Sequence, residues 1–371
     1  MQATLPTLRP AVGAAEADAV RHVLESRWLG MGKLAAEFEH RLADVVGARH
    51  VVAVSSGSAA LHTALAVAGL GPGDEVVVPS LTFVGCAQAV AAVGATPVFC
   101  EIRPDTVTID VEDAARRITP RTRAILAVDY AGFPADMDGI AELARSSDLL
   151  LVHDGAHSLG SLYKGRPVGT LAPLTCFSFD PVKNVTCGEG GAVATDDERL
   201  AGRARAFRNL GLSDRPRGRR DNGQRDYDAG ALGFRYQLPD LHAAIGLAQL
   251  ERFDEFRERK RALLHAYRQG LADLDGLELL AGDVDSSFPF LCVVRVPDGR
   301  RDAVIEWLRD DGIAASVHFL PIHLQPAFAG QSLPVSESVY AGLLSLPLYT
   351  ELADDDVERV IRSVRAFFAT A

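Results

Sequence analysis

Two short segments hold residue types that could do chemistry together. "LLLVHD" closes an apolar run on Asp154, and "FSFDPVKNVTCGEGG" carries Lys183 beside a cluster of glycines. A carboxylate ending a buried run is costly unless a cation or donor meets it, and its plainer reading is a helix N-cap. A lysine just past a strand is often only a solvated charge. Taken as a pair, the two suit opposite sides of one flat, charged cofactor. A partly desolvated lysine loses basicity and becomes both nucleophile and proton carrier. Pyridoxal phosphate needs such an amine for its aldehyde, and a carboxylate that keeps its ring nitrogen protonated as an electron sink. Asp154 and Lys183 are the candidate catalytic residues on this reading.

The same cofactor needs an anion cradle and a cover for its ring. In "SSGSAALHTAL", Gly57 permits close approach, Ser58 offers a hydroxyl and Ala59 begins a helical pattern, the chemistry of a phosphate at a helix start. A Ser-Gly-Ser run is also a common N-cap. Ser178, ahead of Lys183, offers a second hydroxyl. Phe83 in "PSLTFVG" is placed to cover one ring face, its alternative being an ordinary core position.

Elements must bring these residues together. Seven apolar, β-branched runs recur, at 50–55, 75–80, 96–102, 123–130, 149–154, 174–179 and 190–196. Their lack of polar alternation predicts buried strands. Helical spacing at 57–69 and 136–147 between them predicts an α/β fold, with a mostly parallel sheet covered by helices on both faces. Ligands of such sheets bind at the carboxyl ends of the strands. The segments 14–26 and 34–47 read as helices linked by "RWLGMG", and 197–211 as a helix ended by Gly211. The segment 239–274 reads as a long helical stretch that could link two domains. The remainder, with "FPFLCVVRV", 301–312 and 354–370, predicts a smaller α+β unit. The expected division is residues 1–250 as a large cofactor-binding domain and 251–371 as a small C-terminal domain.

With 371 residues, 48% hydrophobic and 23% charged, the chain has the composition of a globular protein. A net charge of −11 argues against a nucleic-acid partner. Five scattered cysteines without a C-x-x-C pair fit a reducing compartment and no zinc site. There is no signal-peptide pattern and no run of membrane-spanning length. A cytoplasmic protein with no bound metal is the expectation.

The block "F-S-F-x-x-x-K-N-x-x-x-G-E-G-G", with "SSGSAALHTAL", "PSLTFVG", "VDYAGFPADMDGI" and "GFRYQLPDLHAAIGLAQL", resembles the DegT/StrS family of sugar-nucleotide aminotransferases. The resemblance runs over nearly the whole chain and implies the fold of aspartate aminotransferase, pyridoxal phosphate fold type I. It implies that Lys183 bonds the cofactor's aldehyde, Asp154 pairs with the ring nitrogen, and His157 sits near the ring's phenolic oxygen. Gly57, Ser58, Ala59 and Ser178 would hold the phosphate, with Phe83 against the ring. It further implies a homodimer with shared active sites, in which Arg235 of "GFRYQL" reaches the neighbouring subunit's phosphate. Many members carry Asn there. A basic residue marks members resembling an enzyme that aminates a UDP-linked 4-keto-pentose. His318 and His323, in "HFLPIH", either face the substrate or pack a hinge between domains.

Three positions depart from the family pattern. His153 stands where Glu is usual, and strand alternation turns it away from Asp154. Gly155 replaces a usual Ala, and Asp129 stands where relatives often have His. The segment 213–226, with Arg215, Arg217, Arg219, Arg220 and Arg225, reads either as a solvated turn or as a lid that meets a diphosphate. The function expected is transfer of an amino group from an amino acid, L-glutamate by resemblance, to a keto group of a nucleotide-linked sugar, with C4 favoured. A keto-cyclitol aminotransferase and a non-catalytic regulatory relative are the alternatives.

Overall fold

The computed structural model describes residues 4–212 and 229–370. Strands β1 (His50–Val54), β2 (Glu75–Pro79), β3 (Thr96–Cys100), β4 (Thr122–Val128), β5 (Leu150–Asp154), β6 (Leu174–Ser178) and β7 (Gly191–Thr195) form one sheet. Their order is β1-β7-β6-β5-β4-β2-β3, and β7 alone runs antiparallel to its neighbours. Each of the seven apolar runs is a strand, and the mostly parallel α/β fold is the one expected.

The period of two along each strand decides which residues meet which core. Val51, Ala53, Ile125, Ala127 and Phe177 point to one face, where they pack with Phe38, Leu42 and Val46 of the helix α2 (Lys33–Val46). Val52, Val54, Leu126, Val152 and Val193 point to the other, against Ala60, Ala64 and Leu65 of α3 (Gly57–Ala68). Burying a side chain such as Leu or Val contributes about 1.5–3 kcal/mol, so sheet and helices stabilise each other across both faces. The helix α4 (Gly85–Ala92) follows β2 and lies beside α3.

A second, three-stranded antiparallel sheet joins β8 (Glu278–Leu279), β9 (Cys292–Arg295) and β10 (Leu343–Leu346). Helices Arg301–Asp310 and Asp354–Thr370 accompany it. The chain's start reaches this part, since Leu5 N–H donates to Gly312 C=O at 2.9 Å and Leu5 bridges Ile313.

Two expectations are corrected. The long helical stretch expected over 239–274 is two helices, Asp240–Glu251 and Phe253–Leu271, because Arg252 leaves helical geometry at φ −107°, ψ 14°. The helix expected to run to Gly211 ends at Phe207, and Gly211 instead serves a turn at φ +71°. Only Cys292–Arg295 of "FPFLCVVRV" is strand; Phe290 before it donates its N–H to Ala131 C=O at 2.9 Å. Among the described residues no helix is long and apolar enough to cross a membrane.

Candidate active site

The carboxyl ends of β1, β4, β5 and β6 open on one cavity of about 360 Å³. Gly57 and Ser58, Phe83, Asp154 and His157, and Ser178 and Lys183 all line it, together with His318 and Phe319 from the C-terminal part. Parallel strands explain the convergence, because each ends at the same edge of the sheet.

Asp154 is the last residue of β5 and is buried. Its Oδ1 accepts the N–H of Ala156 at 3.0 Å, and its Oδ2 accepts the thiol of Cys86 at 3.2 Å. Burial pushes its pKa up, against those two donors and the positive charges of Lys183 and His153. A cation placed beside it would hold it ionised.

Lys183 stands on a turn whose geometry Asp180 sets. Its N–H donates to Asp180 C=O at 3.0 Å, and Val182 N–H donates to Asp180 Oδ1 at 3.1 Å. Burial lowers its amine to about 8, although Asp154 and Asp180 pull it upward. Nζ lies 4.1 Å from the centroid of the Phe290 ring. His157 also packs against that ring, at 4.6 Å between centroids. Burial, with the charges of Lys183 and His318, holds His157 well below the ordinary imidazole value, so it is neutral. Its Nδ1 is buried without a partner among the described residues.

The start of α3, the expected anion cradle, opens on the cavity. Ser56 caps the helix, its Oγ accepting the Ala59 N–H at 3.1 Å. The N–H groups of Gly57 and Ser58 are left without a partner among the described residues, facing the cavity beside Ser178. Ala59 is buried one position deeper, with its own N–H already used. Phe83 is 52% exposed and lies edge-on to Phe319 at 5.7 Å.

These features match what pyridoxal phosphate asks of a protein. An amine of lowered basicity, a buried carboxylate, an unpartnered imidazole nitrogen and free N–H groups at a helix start surround one space.

Besides Ala59, two expected residues stand apart from the cavity. His323 is buried with both nitrogens engaged, Nδ1 with Ser80 Oγ at 2.6 Å and Nε2 with Glu337 Oε1 at 3.1 Å. Arg235 is exposed, its backbone bridged to Asn209. The arginines of 213–226 lie outside the described residues. His318 does line the cavity, and burial with the Lys183 charge takes it down to about 4.

Cys86, Phe290, Phe319 and Lys260 were not visible in the sequence as site residues. Cys86 sits one helical turn past Phe83 and was hidden because α4 carries no amphipathic signal. Phe290 and Phe319 come from distant segments with no motif of their own, and Lys260 sits mid-helix among other charged residues.

A sequence profile of the DegT/DnrJ/EryC1/StrS aminotransferase family matches residues 10–365. The spore coat polysaccharide biosynthesis protein SpsC of Bacillus subtilis (strain 168) is 37% identical over 374 residues, covering 97% of this chain and 96% of that protein. The aminotransferase TlmJ from Streptoalloteichus hindustanus is 37% identical, with a TM-score of 0.92 over 99% of each chain. DesI, solved in the presence of its TDP-sugar product, is 35% identical, with a TM-score of 0.89 over 99% of this chain and 94% of that one.

Proposed function

This chain belongs to the DegT/DnrJ/EryC1/StrS aminotransferase family and is a sugar aminotransferase; from that premise we propose that it binds pyridoxal phosphate at Lys183 and aminates a keto carbon of a nucleotide-linked sugar. The observation that carries this reading is the convergence of Lys183, Asp154, His157 and the start of α3 on one cavity. L-glutamate is the proposed donor. The TDP-sugar product of DesI supports a nucleotide sugar as acceptor, and the basic Arg235 supports C4 as the carbon aminated.

Bound pyridoxal phosphate supplies an electron sink and a carrier for the amino group. Asp154 would keep the ring nitrogen protonated, and a cationic partner would in turn relieve the cost of its burial. Gly57, Ser58 and Ser178 bind the phosphate through two N–H groups and two hydroxyls. His157, neutral, would meet the phenolic oxygen through its unpartnered Nδ1. Phe83 covers the ring. Lys183 would hold the cofactor through Nζ, and the same amine would carry the proton to and from the reacting carbon. An amine near pH 8 suits that exchange, since both of its protonation states are populated in neutral solution. We further propose a homodimer in which Arg235 reaches the partner's phosphate.

Borohydride reduction of the purified yellow protein, followed by peptide mass spectrometry, tests the attachment. The expected adduct is on Lys183, and an unmodified Lys183 would refute the reading. Glutamate turnover against a panel of keto-sugar nucleotides and keto-inositols then tests the acceptor. Amination of the inositols alone would replace the nucleotide sugar with a cyclitol.

A further inference from the structure

Behind Asp154 lies an ion pair that the proposed chemistry does not use. His153 Nε2 meets Asp129 Oδ2 at 2.8 Å, and both side chains are 0% exposed. Asp129 follows the end of β4 and His153 precedes Asp154 on β5, with Val128 registered against Asp154. The Asp129 carboxylate is saturated with donors. Ser158 Oγ donates to the same oxygen as His153, and Ala135 N–H donates to Oδ1 at 2.9 Å. Its own backbone N–H donates to Asp154 C=O at 3.1 Å. Asp129 thus grips both ends of the turn 154–158, the main chain at 154 and the hydroxyl at 158. That turn carries Asp154 and His157.

We propose that Asp129 and His153 are a positioning pair for the cofactor site, an ionic bracket that fixes the turn bearing Asp154 and His157. This rests on reading the cavity as a pyridoxal phosphate site. Two carboxylates, Asp129 and Asp154, are buried at the ends of adjacent strands, and the imidazolium of His153, paired with Asp129, offsets their mutual repulsion. The charges that act on His153 are Asp129 from β4, which its ring meets, and Asp154, whose side chain lies on the other face of the same strand; its partner on β6, Thr175, is neutral. Burial alone would lower the imidazole, but Asp129 first and Asp154 next outweigh it and raise the pKa. A bracket of this kind requires opposite charges at the two positions and is indifferent to which strand carries which. Reversing one member leaves two like charges facing each other in the interior. Reversing both restores neutrality.

The test compares Asp129→His, His153→Glu, the double exchange and His153→Gln. Pyridoxal phosphate affinity is followed by fluorescence titration, and unfolding of the cofactor-free protein by urea across a pH series. Each single reversal is expected to weaken cofactor binding roughly tenfold or more, and the double exchange to recover most of that loss. The cofactor-free protein should lose stability as pH rises through the raised His153 pKa, a step absent from His153→Gln. Single reversals that unfold more readily yet bind cofactor normally would reduce the pair to scaffolding and overturn the proposal. So would a double exchange that shows native circular dichroism but no recovered affinity. If the unaltered protein fails to bind pyridoxal phosphate, the cofactor reading falls, while the pH-dependent step still decides whether the bracket is ionic.

Discussion

Lys260 Nζ donates to Asn184 Oδ1 at 2.8 Å, one residue beyond Lys183. The Asn184 amide in turn donates to Phe288 C=O at 2.9 Å, so one buried amine ties the turn of Lys183 to the segment that carries Phe290. Lys260 is 3% exposed, and its Nζ lies 5.8 Å from the Phe290 centroid, over the ring that Lys183 also approaches. Burial, followed by the charge of Lys183, brings it down from 10.5 to about 7. A folded state that resists a proton which the unfolded chain accepts gains stability as pH rises. The stability of the wild type relative to Lys260→Met should therefore climb from about pH 7 toward pH 10.5 and be flat below pH 7. Urea denaturation at a series of pH values measures this, and a pH-independent difference would contradict it.

Lys183 follows the same logic with a chemical readout. Its amine, lowered by burial to about 8, is free over much of the neutral range. The rate at which cofactor-free protein takes up pyridoxal phosphate should rise with pH and level off just above pH 8. An ordinary exposed lysine would keep rising past pH 10. Lys183→Met should abolish transamination while making the cofactor-free protein more stable at neutral pH, by up to roughly 3 kcal/mol.

Much of this was legible in the sequence, for a physical reason. A parallel sheet buried on both faces writes each strand as an apolar run, so "EVVVP" and "TRAILAV" could be read without ambiguity. Residues just past those runs, Asp154 and Lys183 among them, inherit their place from the topology. Contacts that depend on distant segments could not be read. Phe290 reaches Lys183 from beyond the long helix, and nothing in "FPFLCVV" separates a ring beside an amine from a ring in a core. The break at Arg252 was equally silent, because helical periodicity continues on both sides of it. His153 was expected to turn away from Asp154, and its ring does point to Asp129 instead. Strand alternation gives the direction of a side chain but not the partner waiting on the next strand.

The two histidines of "HFLPIH" should separate in their effects. His323 joins Ser80, past the end of β2, to Glu337 on the helix Pro334–Gly342. Removing it deprives the buried Ser80 hydroxyl of its imidazole partner, so His323→Ala should cost about 1–3 kcal/mol of stability with kcat changed little. His318 lines the cavity, with Nδ1 held by Ser345 Oγ at 2.9 Å, and is neutral near pH 7 because burial and Lys183 take it down to about 4. His318→Ala should lower kcat/KM by about tenfold or more at nearly native stability. Steady-state kinetics beside thermal unfolding distinguishes the two, and the reverse pattern would exchange their roles.

Gly57 tests the anion cradle most directly. It opens α3, and a Cβ there would lie 2.8 Å from Ser178 Cβ and 2.9 Å from Ser178 Oγ. Neither atom is the loose end of a long side chain, since Ser178 closes β6 and its backbone is registered against Gly191. Helix propensity alone would favour alanine by about 0.5–1 kcal/mol. Here the steric cost should win, because overpacking a close contact costs typically about 1–3 kcal/mol. The relief available is for α3 to draw back from Ser178, which parts the N–H groups of Gly57 and Ser58 from the hydroxyl that completes the cradle. Gly57→Ala should therefore weaken pyridoxal phosphate binding roughly tenfold or more while pyridoxal, lacking the phosphate, binds as before. Gly202 provides the control. It lies in the helix Glu198–Phe207, where an added methyl would meet nothing within 4 Å, so Gly202→Ala should stabilise the protein and leave both affinities unchanged. Equal loss of pyridoxal and pyridoxal phosphate affinity in Gly57→Ala would move the phosphate site away from the start of α3.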